Sequence, residues 1–258
     1  MLNHDRRGTG EPLLLLHGIG SRWQVWDPVL DALAATHDTI AVDLPGFAGS
    51  APLPGRTDIA ALTDAVAAFA AALGLERWHV AGNSTGGGVA LELAQRGVVA
   101  SATAVSPIGF WSTRERAYGQ AALTSTRAIA RRARDAGAIP SLVSTAAGRT
   151  AMLSLTFARP WRLSPAECVA SVDDFLDCPA WDDVHASFTG YVAPFDHGDV
   201  PVTVAWGTQD RLLLPRQARR ARRVMPRARH VALPGCGHAP FSDDPPLLAD
   251  VLRAGASA

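Results

Sequence analysis

A serine that could act as a nucleophile lies at the centre of the pentapeptide Gly82-Asn83-Ser84-Thr85-Gly86. An apolar run precedes it and a helix-like segment follows, so the pattern predicts a strand, a very sharp turn and a helix, with Ser84 at the apex. Such a turn brings strand and helix too close for side chains, and glycine at positions 82 and 86 avoids that crowding. A glycine-rich turn can also be purely structural, so the pentapeptide alone leaves catalysis open.

Two further residues have the types and positions that a serine nucleophile requires. Serine is a poor nucleophile at neutral pH, and it needs a histidine to take its proton and a carboxylate to orient that histidine. Asp210 follows the strand-like run 202–206, and His238 follows the short strand-like run 230–233. Both residues should lie on loops just past a strand, at the same sheet edge as Ser84. We therefore predict that Ser84, Asp210 and His238 form a catalytic triad.

A fourth element, for stabilising an oxyanion, is predicted upstream. The apolar run 12–16 ends in His17-Gly18-Ile19-Gly20, a loop flexible enough to turn a backbone N–H towards the serine. Acyl transfer needs two such donors for the tetrahedral oxyanion. The backbone amides of Ile19 and Thr85 are the natural pair, and we expect them to form the oxyanion hole.

Together these elements resemble the α/β-hydrolase family over nearly the whole chain. The matching stretches are residues 14–18, 43–50, 82–87, 206–210 and 235–238. The resemblance implies an α/β fold with a mostly parallel, doubly wound sheet, an inserted helical cap and a serine-hydrolase site. It says little about the substrate, because this scaffold hosts many chemistries.

Alternating strand and helix patterns agree with a mostly parallel sheet that is covered on both faces. Strands are predicted near residues 12–17, 39–43, 77–82, 101–106, 201–206 and 229–233. Helices are predicted near residues 23–35, 58–73, 86–96, 215–225 and 244–253. Only about a dozen residues precede the first of these strands. Family members usually have an extra strand or two there, so we expect one strand at the sheet edge to be missing or the start to be shortened.

The alternation breaks between about Ile108 and His197, where family members insert a helical cap over the active site. We therefore assign residues 1–107 and 198–258 to the core and residues 108–197 to the cap. The cap should roof the acyl pocket and set most of the specificity. Phe110 and Trp111, directly after the strand at 101–106, are candidate substrate contacts. Four other aromatic residues are candidates for the apolar lining of the pocket, although aromatic side chains more often serve only in core packing. They are Phe157, Trp161, Phe175 and Trp181.

Several polar residues near the predicted site are assigned structural roles. His17 should shape the oxyanion loop, and Asp43 should close a tight loop beside the site. Asp243 and Asp244 are close to His238 in sequence but mark the start of the last helix, so Asp210 is the better residue to orient the base.

Composition indicates a single globular enzyme domain. With 258 residues, 48% of them hydrophobic, and a net charge of zero, the chain can bury a substantial core and is no polyelectrolyte. No apolar stretch is long enough to span a bilayer. The odd number of cysteines, three, argues against a disulfide framework and favours a reducing cytoplasm. The arginines at 216–223 fall on one side of a predicted helix, which is typical of a solvated face.

These features lead us to expect a cytoplasmic protein, monomeric or homodimeric, whose partner is a small-molecule acyl substrate. Nucleic acid and membrane are not expected as partners. No Cys/His cluster has metal-ligand spacing and no glycine pattern would cradle a phosphate, so we expect no metal and no cofactor.

The predicted function is hydrolysis of a small or medium, largely apolar carboxylic ester, or a related acyl compound, through an acyl-enzyme. Two alternatives stay open. Carbon–carbon hydrolases of ring-cleavage diketones often share the elbow pattern of residues 82–87, although this chain has Ala239 where those relatives tend to have tryptophan. The other alternative is a non-hydrolytic cyclase, lyase or ligand receptor, against which the complete triad argues.

Overall fold

The central element of the fold is one seven-stranded sheet with strand order β1-β3-β2-β4-β5-β6-β7. The computed structural model describes residues 1–257. Its strands are β1 (His4–Arg7), β2 (Glu11–Leu16), β3 (His37–Val42), β4 (His79–Asn83), β5 (Ser101–Val105), β6 (Val202–Gly207) and β7 (Arg229–Leu233). β1 runs antiparallel to β3, and all the other neighbouring strands are parallel. The predicted mostly parallel sheet is confirmed.

Helices cover both faces of this sheet, as a doubly wound fold requires. The core helices are α1 (Asp27–Ala34), α2 (Ile59–Ala72), α3 (Thr85–Gln95), α9 (Arg216–Val224) and α10 (Pro245–Ala256), with a 3-10 turn at Trp23–Trp26 before α1. Side chains alternate across β2, so Leu13 and Leu15 pack with α1 and α10. Leu14 and Leu16 pack on the opposite face with α2, α3 and α9. Because both faces are buried, the central strands are continuous apolar runs.

The edge strand β1 lies upstream of the first strand that the apolar pattern predicts. Its sequence, His4-Asp5-Arg6-Arg7, carries no apolar run, because an edge strand is only partly buried. The strand pairs with β3. Arg6 also makes a bidentate contact with Asp38 of β3, at 2.9 and 2.6 Å, which helps to hold the strand in place. The short upstream segment therefore contains an edge strand that the sequence patterns did not reveal.

Residues between β5 and β6 form a second group of helices. They are α4 (Thr113–Asp135), α5 (Ile139–Val143), α6 (Ala146–Leu153), α7 (Pro165–Leu176) and α8 (Trp181–Ser187), with a 3-10 turn at Pro160–Arg162. We keep the name cap for residues 108–197, as predicted from the sequence. Within residues 1–257, no helix combines the length and apolar character needed to cross a bilayer.

Candidate active site

The turn between β4 and α3 holds Ser84 in a strained backbone conformation, with φ 55° and ψ −113°. Its N–H donates to the Val105 carbonyl at 2.9 Å, and its own carbonyl accepts from Gly88 and Ile108 at 3.0 and 3.2 Å. Left-handed φ at a non-glycine residue costs about 1–3 kcal/mol and persists only where neighbours enforce it. These three hydrogen bonds supply that enforcement.

Close packing explains the glycines on either side of Ser84. A Cβ at Gly82 would lie 2.1 Å from the Gly86 carbonyl oxygen, and one at Gly86 would lie 2.3 Å from the Leu16 carbonyl oxygen. No side chain can be placed at either position without moving β2, β4 or α3. The predicted crowding of strand against helix is therefore present in the structure.

His238 and Asp210 form a buried pair, with His238 Nδ1 2.9 Å from Asp210 Oδ2. They are 3% and 2% exposed. The other oxygen of Asp210 accepts from the N–H groups of Leu212 and Leu213 at 2.9 and 2.8 Å, which fixes the carboxylate. A carboxylate can only accept, so Nδ1 carries the proton. The Nε2 atom of neutral His238 is then left with a lone pair that can receive another proton.

Asn83 connects the turn that carries Ser84 to the loop that carries His238. Its Nδ2 donates to the His238 carbonyl at 2.9 Å and to the Val105 carbonyl at 3.1 Å. Ser84 and His238 line the same cavity, whose volume is about 360 Å³. The structure thus brings all three predicted triad residues together, Asp210 through its contact with His238.

The loop after β2 contacts Ser84 as well. A Cβ at Gly18 would lie 3.1 Å from the Cβ of Ser84, and Ile19 lines the cavity with Ser84. Thr85 is the first residue of α3, where backbone N–H groups have no partner inside the helix. Within residues 1–257, neither the Ile19 N–H nor the Thr85 N–H donates a hydrogen bond. Both donors are therefore free beside Ser84.

Buried His17 sets the conformation of this loop. Its Nε2 accepts from the Leu44 N–H at 2.9 Å, so its Nδ1 carries the proton and donates to the Gly18 carbonyl at 2.7 Å. Burial lowers the pKa of His17, which keeps the ring neutral. Asp43 is also buried and accepts from the N–H groups of Trp23 and Gly49 at 2.7 and 3.0 Å, closing the neighbouring loop.

Asp243 has a role that the sequence did not reveal. Its side chain is fully buried and accepts from the N–H groups of Gly237, Ala158 and Arg159 at 2.8, 3.0 and 2.8 Å. It therefore joins the loop of His238 to the cap. Its neighbour Asp244 caps α10 by accepting from Leu247, the role expected of both. Only one of two adjacent carboxylates can cap the helix. The sequence therefore indicated that the other has a different role, but it did not show which groups that carboxylate binds.

The wall of the cavity is mostly apolar and comes largely from the cap. The apolar side chains in it include Leu123 of α4, Leu153 of α6, Val172 and Phe175 of α7, together with Phe157 and Phe241. Among the aromatic candidates, Phe157 and Phe175 line the cavity, whereas Trp161 is exposed and Trp181 is stacked on His185.

Neither Phe110 nor Trp111, the two predicted substrate contacts, is among the described residues that line the large cavity. Phe110 is 3% exposed and packs edge-on against Trp206. Trp111 borders a separate pocket of about 10 Å³ that also touches Ser84, and its Nε1 donates to the Tyr191 carbonyl at 3.1 Å. The structure places Trp111 near Ser84 and leaves Phe110 in the core.

Other reactive groups near the site are buried or dispersed. Cys236, just before the His238 loop, is unpaired and buried, and burial raises its pKa to about 11, so its thiol is a poor nucleophile. Among residues 1–257, no three His, Cys, Asp or Glu side chains are grouped so that they could hold a metal ion.

Comparison with known proteins identifies the family. A sequence model of the alpha/beta hydrolase family matches residues 13–251. The chain belongs to the alpha/beta hydrolase family. The resemblance inferred from the motifs is thereby confirmed, and the sheet described above is the alpha/beta hydrolase fold.

Three relatives show the range of proteins that this alpha/beta hydrolase resembles. It is 31% identical to the epoxide hydrolase EphH of Mycobacterium tuberculosis over 194 residues, 70% of this chain and 86% of that protein. The solved esterase RhEst1 from Rhodococcus sp. ECU1013 superposes with a TM-score of 0.76 at 28% identity, over 99% of this chain and 94% of that one.

The third relative is a longer protein. The chain is 41% identical over 114 residues to the dihydrolipoyllysine-residue acetyltransferase component of the acetoin cleaving system of Cupriavidus necator. The match takes in 42% of this chain and spans 30% of the length of that relative. Hydrolase and esterase relatives recur, so we identify the chain as an enzyme of the hydrolase type.

Proposed function

We infer that the protein is a carboxylesterase-like serine hydrolase that cleaves small or medium, largely apolar carboxylic esters through an acyl-enzyme. The observation that carries this inference is the common position of Ser84 and the His238–Asp210 pair at one apolar cavity. A strained serine beside an oriented imidazole and two free backbone N–H donors provides every group that acyl transfer needs.

The chemistry follows from the protonation of each group. His238 Nε2 takes the proton from Ser84 Oγ as this oxygen bonds to the ester carbonyl carbon, and the carbonyl electron pair moves onto its oxygen. The N–H groups of Ile19 and Thr85 donate to that oxyanion, and Asp210 stabilises the imidazolium. The carbon–oxygen bond to the alcohol then breaks, and His238 protonates the leaving oxygen.

Water completes the cycle by the same route. His238 takes a proton from a water molecule as its oxygen attacks the acyl-enzyme carbonyl. The bond to Ser84 breaks, Ser84 regains its proton from His238, and the carboxylic acid leaves. The enzyme returns to its starting state, and the net reaction adds one water to the ester.

The size and lining of the cavity support the substrate class. A volume of about 360 Å³ with leucine, valine and phenylalanine walls is suited to a modest apolar acyl chain. The esterase name of the Rhodococcus relative points in the same direction. Epoxide opening, named for the Mycobacterium relative, is not proposed. A serine would form an alkyl ether with an epoxide, and that ether offers no carbonyl for water to attack.

A second candidate is hydrolysis of a carbon–carbon bond in a ring-cleavage diketone. The elbow pattern of residues 82–87 favours it, while Ala239 after the histidine does not. A dienoic diketone assayed beside an aryl ester separates the two, because only a carbon–carbon hydrolase turns over the diketone.

The deciding experiment is a panel of p-nitrophenyl esters of rising chain length, with lactones and thioesters included. Ser84→Ala should lower kcat on the order of 10⁶-fold, as for other serine triads, while the fold remains intact. A fluorophosphonate should label Ser84 and leave the Ser84→Ala variant unlabelled. The exposed Ser141→Ala variant serves as control and should retain labelling and turnover. Normal turnover by a folded Ser84→Ala enzyme would contradict the mechanism.

A further inference from the structure

One arginine lies in the wall of the otherwise apolar cavity. Arg22 is three residues after Ile19 of the oxyanion loop and lines the same cavity as Ser84. Its side chain is 34% exposed, which places it at the solvent side of the cavity. Lysine is absent from the sequence, and Arg22 is the one arginine among the described residues that line this wall.

Arg22 has a partner for only part of its guanidinium. Its Nε is 3.0 Å from Oδ2 of Asp174, which lies on α7 of the cap and is 16% exposed. No hydrogen bond joins the terminal nitrogens of Arg22 to any residue in the described part of the chain, and its one ion pair is the Nε contact with Asp174. A guanidinium presents five N–H donors in a planar fork that matches a carboxylate, so most of its binding capacity is unused.

The other carboxylates along the cavity already have partners. Asp27 pairs with Arg7 at 3.3 Å, and Glu167 accepts from the Ser164 N–H at 2.7 Å in the cap of its own helix. Neither pairs with Arg22. Among the described carboxylates that line the cavity, Asp174 alone forms an ion pair with its guanidinium.

Asp174 loses its charge, and with it its attraction for Arg22, at mildly acidic pH. Burial raises the pKa of Asp174 to about 6, against the opposing effect of Arg22, and the nearby carboxylates Asp43, Asp173 and Asp177 raise it further. Near pH 6 this carboxylate is therefore half neutral and gives up much of its hold on the guanidinium.

We propose that Arg22 binds a carboxylate on the acyl chain of the substrate, so that the preferred substrates are half-esters of dicarboxylic acids. This role rests on the hydrolase function inferred above and adds a second point of recognition to it. The apolar wall would hold the methylene chain, Ser84 would meet the ester carbonyl, and the terminal carboxylate would stay at the solvent side against Arg22. Asp174 then competes with the substrate for the same guanidinium.

The test compares matched pairs of esters. p-Nitrophenyl half-esters from succinate to suberate are assayed beside neutral esters in which an isopropyl group replaces the terminal carboxylate. The Ser84→Ala enzyme provides the background rate, which includes any attack by the free carboxylate on its own ester. The quantity compared is the ratio of kcat/KM for the half-ester to that for its neutral counterpart, because the titration of His238 cancels in it.

The wild-type ratio should exceed one at the chain length that spans the cavity. Arg22→Gln should lower it about 10- to 100-fold, mainly through KM of the half-ester, since a hydrogen-bonded charge contributes interactions of this size. Asp174→Asn should raise the ratio, because the competing carboxylate is gone. Arg219→Gln, which removes an exposed charge on α9, should leave the ratio unchanged.

The pH dependence gives an independent readout. The wild-type ratio should rise as pH falls through about 6, where Asp174 becomes neutral, and it should be flat in Asp174→Asn. The groups that act on Asp174 are Arg22, Asp43, Asp173 and Asp177, and Arg22 is the cation among them.

Two results would overturn the inference. One is a ratio in Arg22→Gln equal to that of the wild type. The other is an equal loss for both esters in Arg22→Gln and Asp174→Asn, which would make the ion pair a structural link between cap and core. If instead neither ester is hydrolysed and the fluorophosphonate does not label Ser84, the hydrolase function itself has failed.

Discussion

Replacing Asp243 with asparagine should destabilise the protein while removing less activity than the same change at Asp210. The buried carboxylate of Asp243 accepts three backbone N–H groups, two at Oδ2 from Gly237 and Ala158 and one at Oδ1 from Arg159. Asparagine has one carbonyl oxygen in place of two carboxylate oxygens. If it keeps the pair at Oδ2, its NH₂ group faces the Arg159 N–H, and one donor is left unpaired.

The size of the loss follows from these contacts. A hydrogen bond to a charged group contributes about 1.5–3 kcal/mol, and the two that remain become weaker because their acceptor is neutral. Burying an amide costs less than burying a carboxylate, which offsets part of the loss. We expect Asp243→Asn to lower the free energy of unfolding by about 2–4 kcal/mol, a large share of the roughly 5–15 kcal/mol typical of a domain.

The matched control is the adjacent Asp244→Asn. Asp244 caps α10, and asparagine caps helices about as well as aspartate, so its stability should change by less than about 0.5 kcal/mol. Urea unfolding at pH 7 measures both variants, and kcat is measured where each remains folded. Asp210→Asn should instead retain its fold and lose about 10³–10⁴ in rate, because His238 loses its orienting partner.

Two results would refute this reasoning. Equal unfolding free energies for Asp243→Asn and Asp244→Asn would show that the three hydrogen bonds carry little net stability. A folded, stable Asp243→Asn enzyme with a loss of rate as large as that of Asp210→Asn would mean that the acid of the triad has been assigned to the wrong residue.

Two further predictions concern Gly18 and Glu115. Gly18→Ala should lower kcat about tenfold or more without unfolding the protein, because its Cβ would lie 3.1 Å from the Cβ of Ser84. The control is Gly119→Ala in α4, where the nearest atoms are 4.0 Å away. It should keep full activity and raise the free energy of unfolding by about 0.5–1 kcal/mol, because alanine favours the helix more than glycine does. Burial would raise the pKa of Glu115, but hydrogen bonds from Ser112 and from arginines of α9 outweigh it and lower the pKa to about 2. The resulting stability is present above about pH 4.5 and is lost as pH falls through about 2. The free energy of unfolding should therefore fall by up to about 3 kcal/mol over this range because of Glu115. Glu115→Gln should remove that part of the pH dependence.

The strands that carry the site were predictable because they are buried on both faces. All the strands from β2 to β7 begin and end within two residues of the predicted bounds, since buried parallel strands are continuous apolar runs. β1 could not be found in this way, because an edge strand such as His4–Arg7 is mostly polar. The start of helix α4 at Thr113, within the cap, was not predicted from the sequence. The capping box of Ser112 and Glu115 was the available signal for that start.

The candidate site was predictable to the extent that it depends on chain order and turn chemistry. Ser84 and the His238–Asp210 pair meet because each follows a parallel strand, and parallel strands end at one edge of the sheet. The cavity wall was not predictable, because position after a strand does not give the direction of a side chain. Phe110 directly follows a strand but packs into the core against Trp206. Phe157 and Phe175 lie far along the cap and still reach the cavity.

The position of β5 in the sheet has a consequence for engineering. Its two neighbours, β4 and β6, lead directly to Ser84 and to Asp210, and the cap is inserted in the chain between β5 and β6. A cap from another protein could therefore be grafted at this junction without altering the strand order that places the nucleophile and the acid. The graft must preserve the contacts that join the cap to the loop of His238. It must again present a carbonyl like that of Thr156, which accepts from Ala239, and backbone N–H groups that reach Asp243.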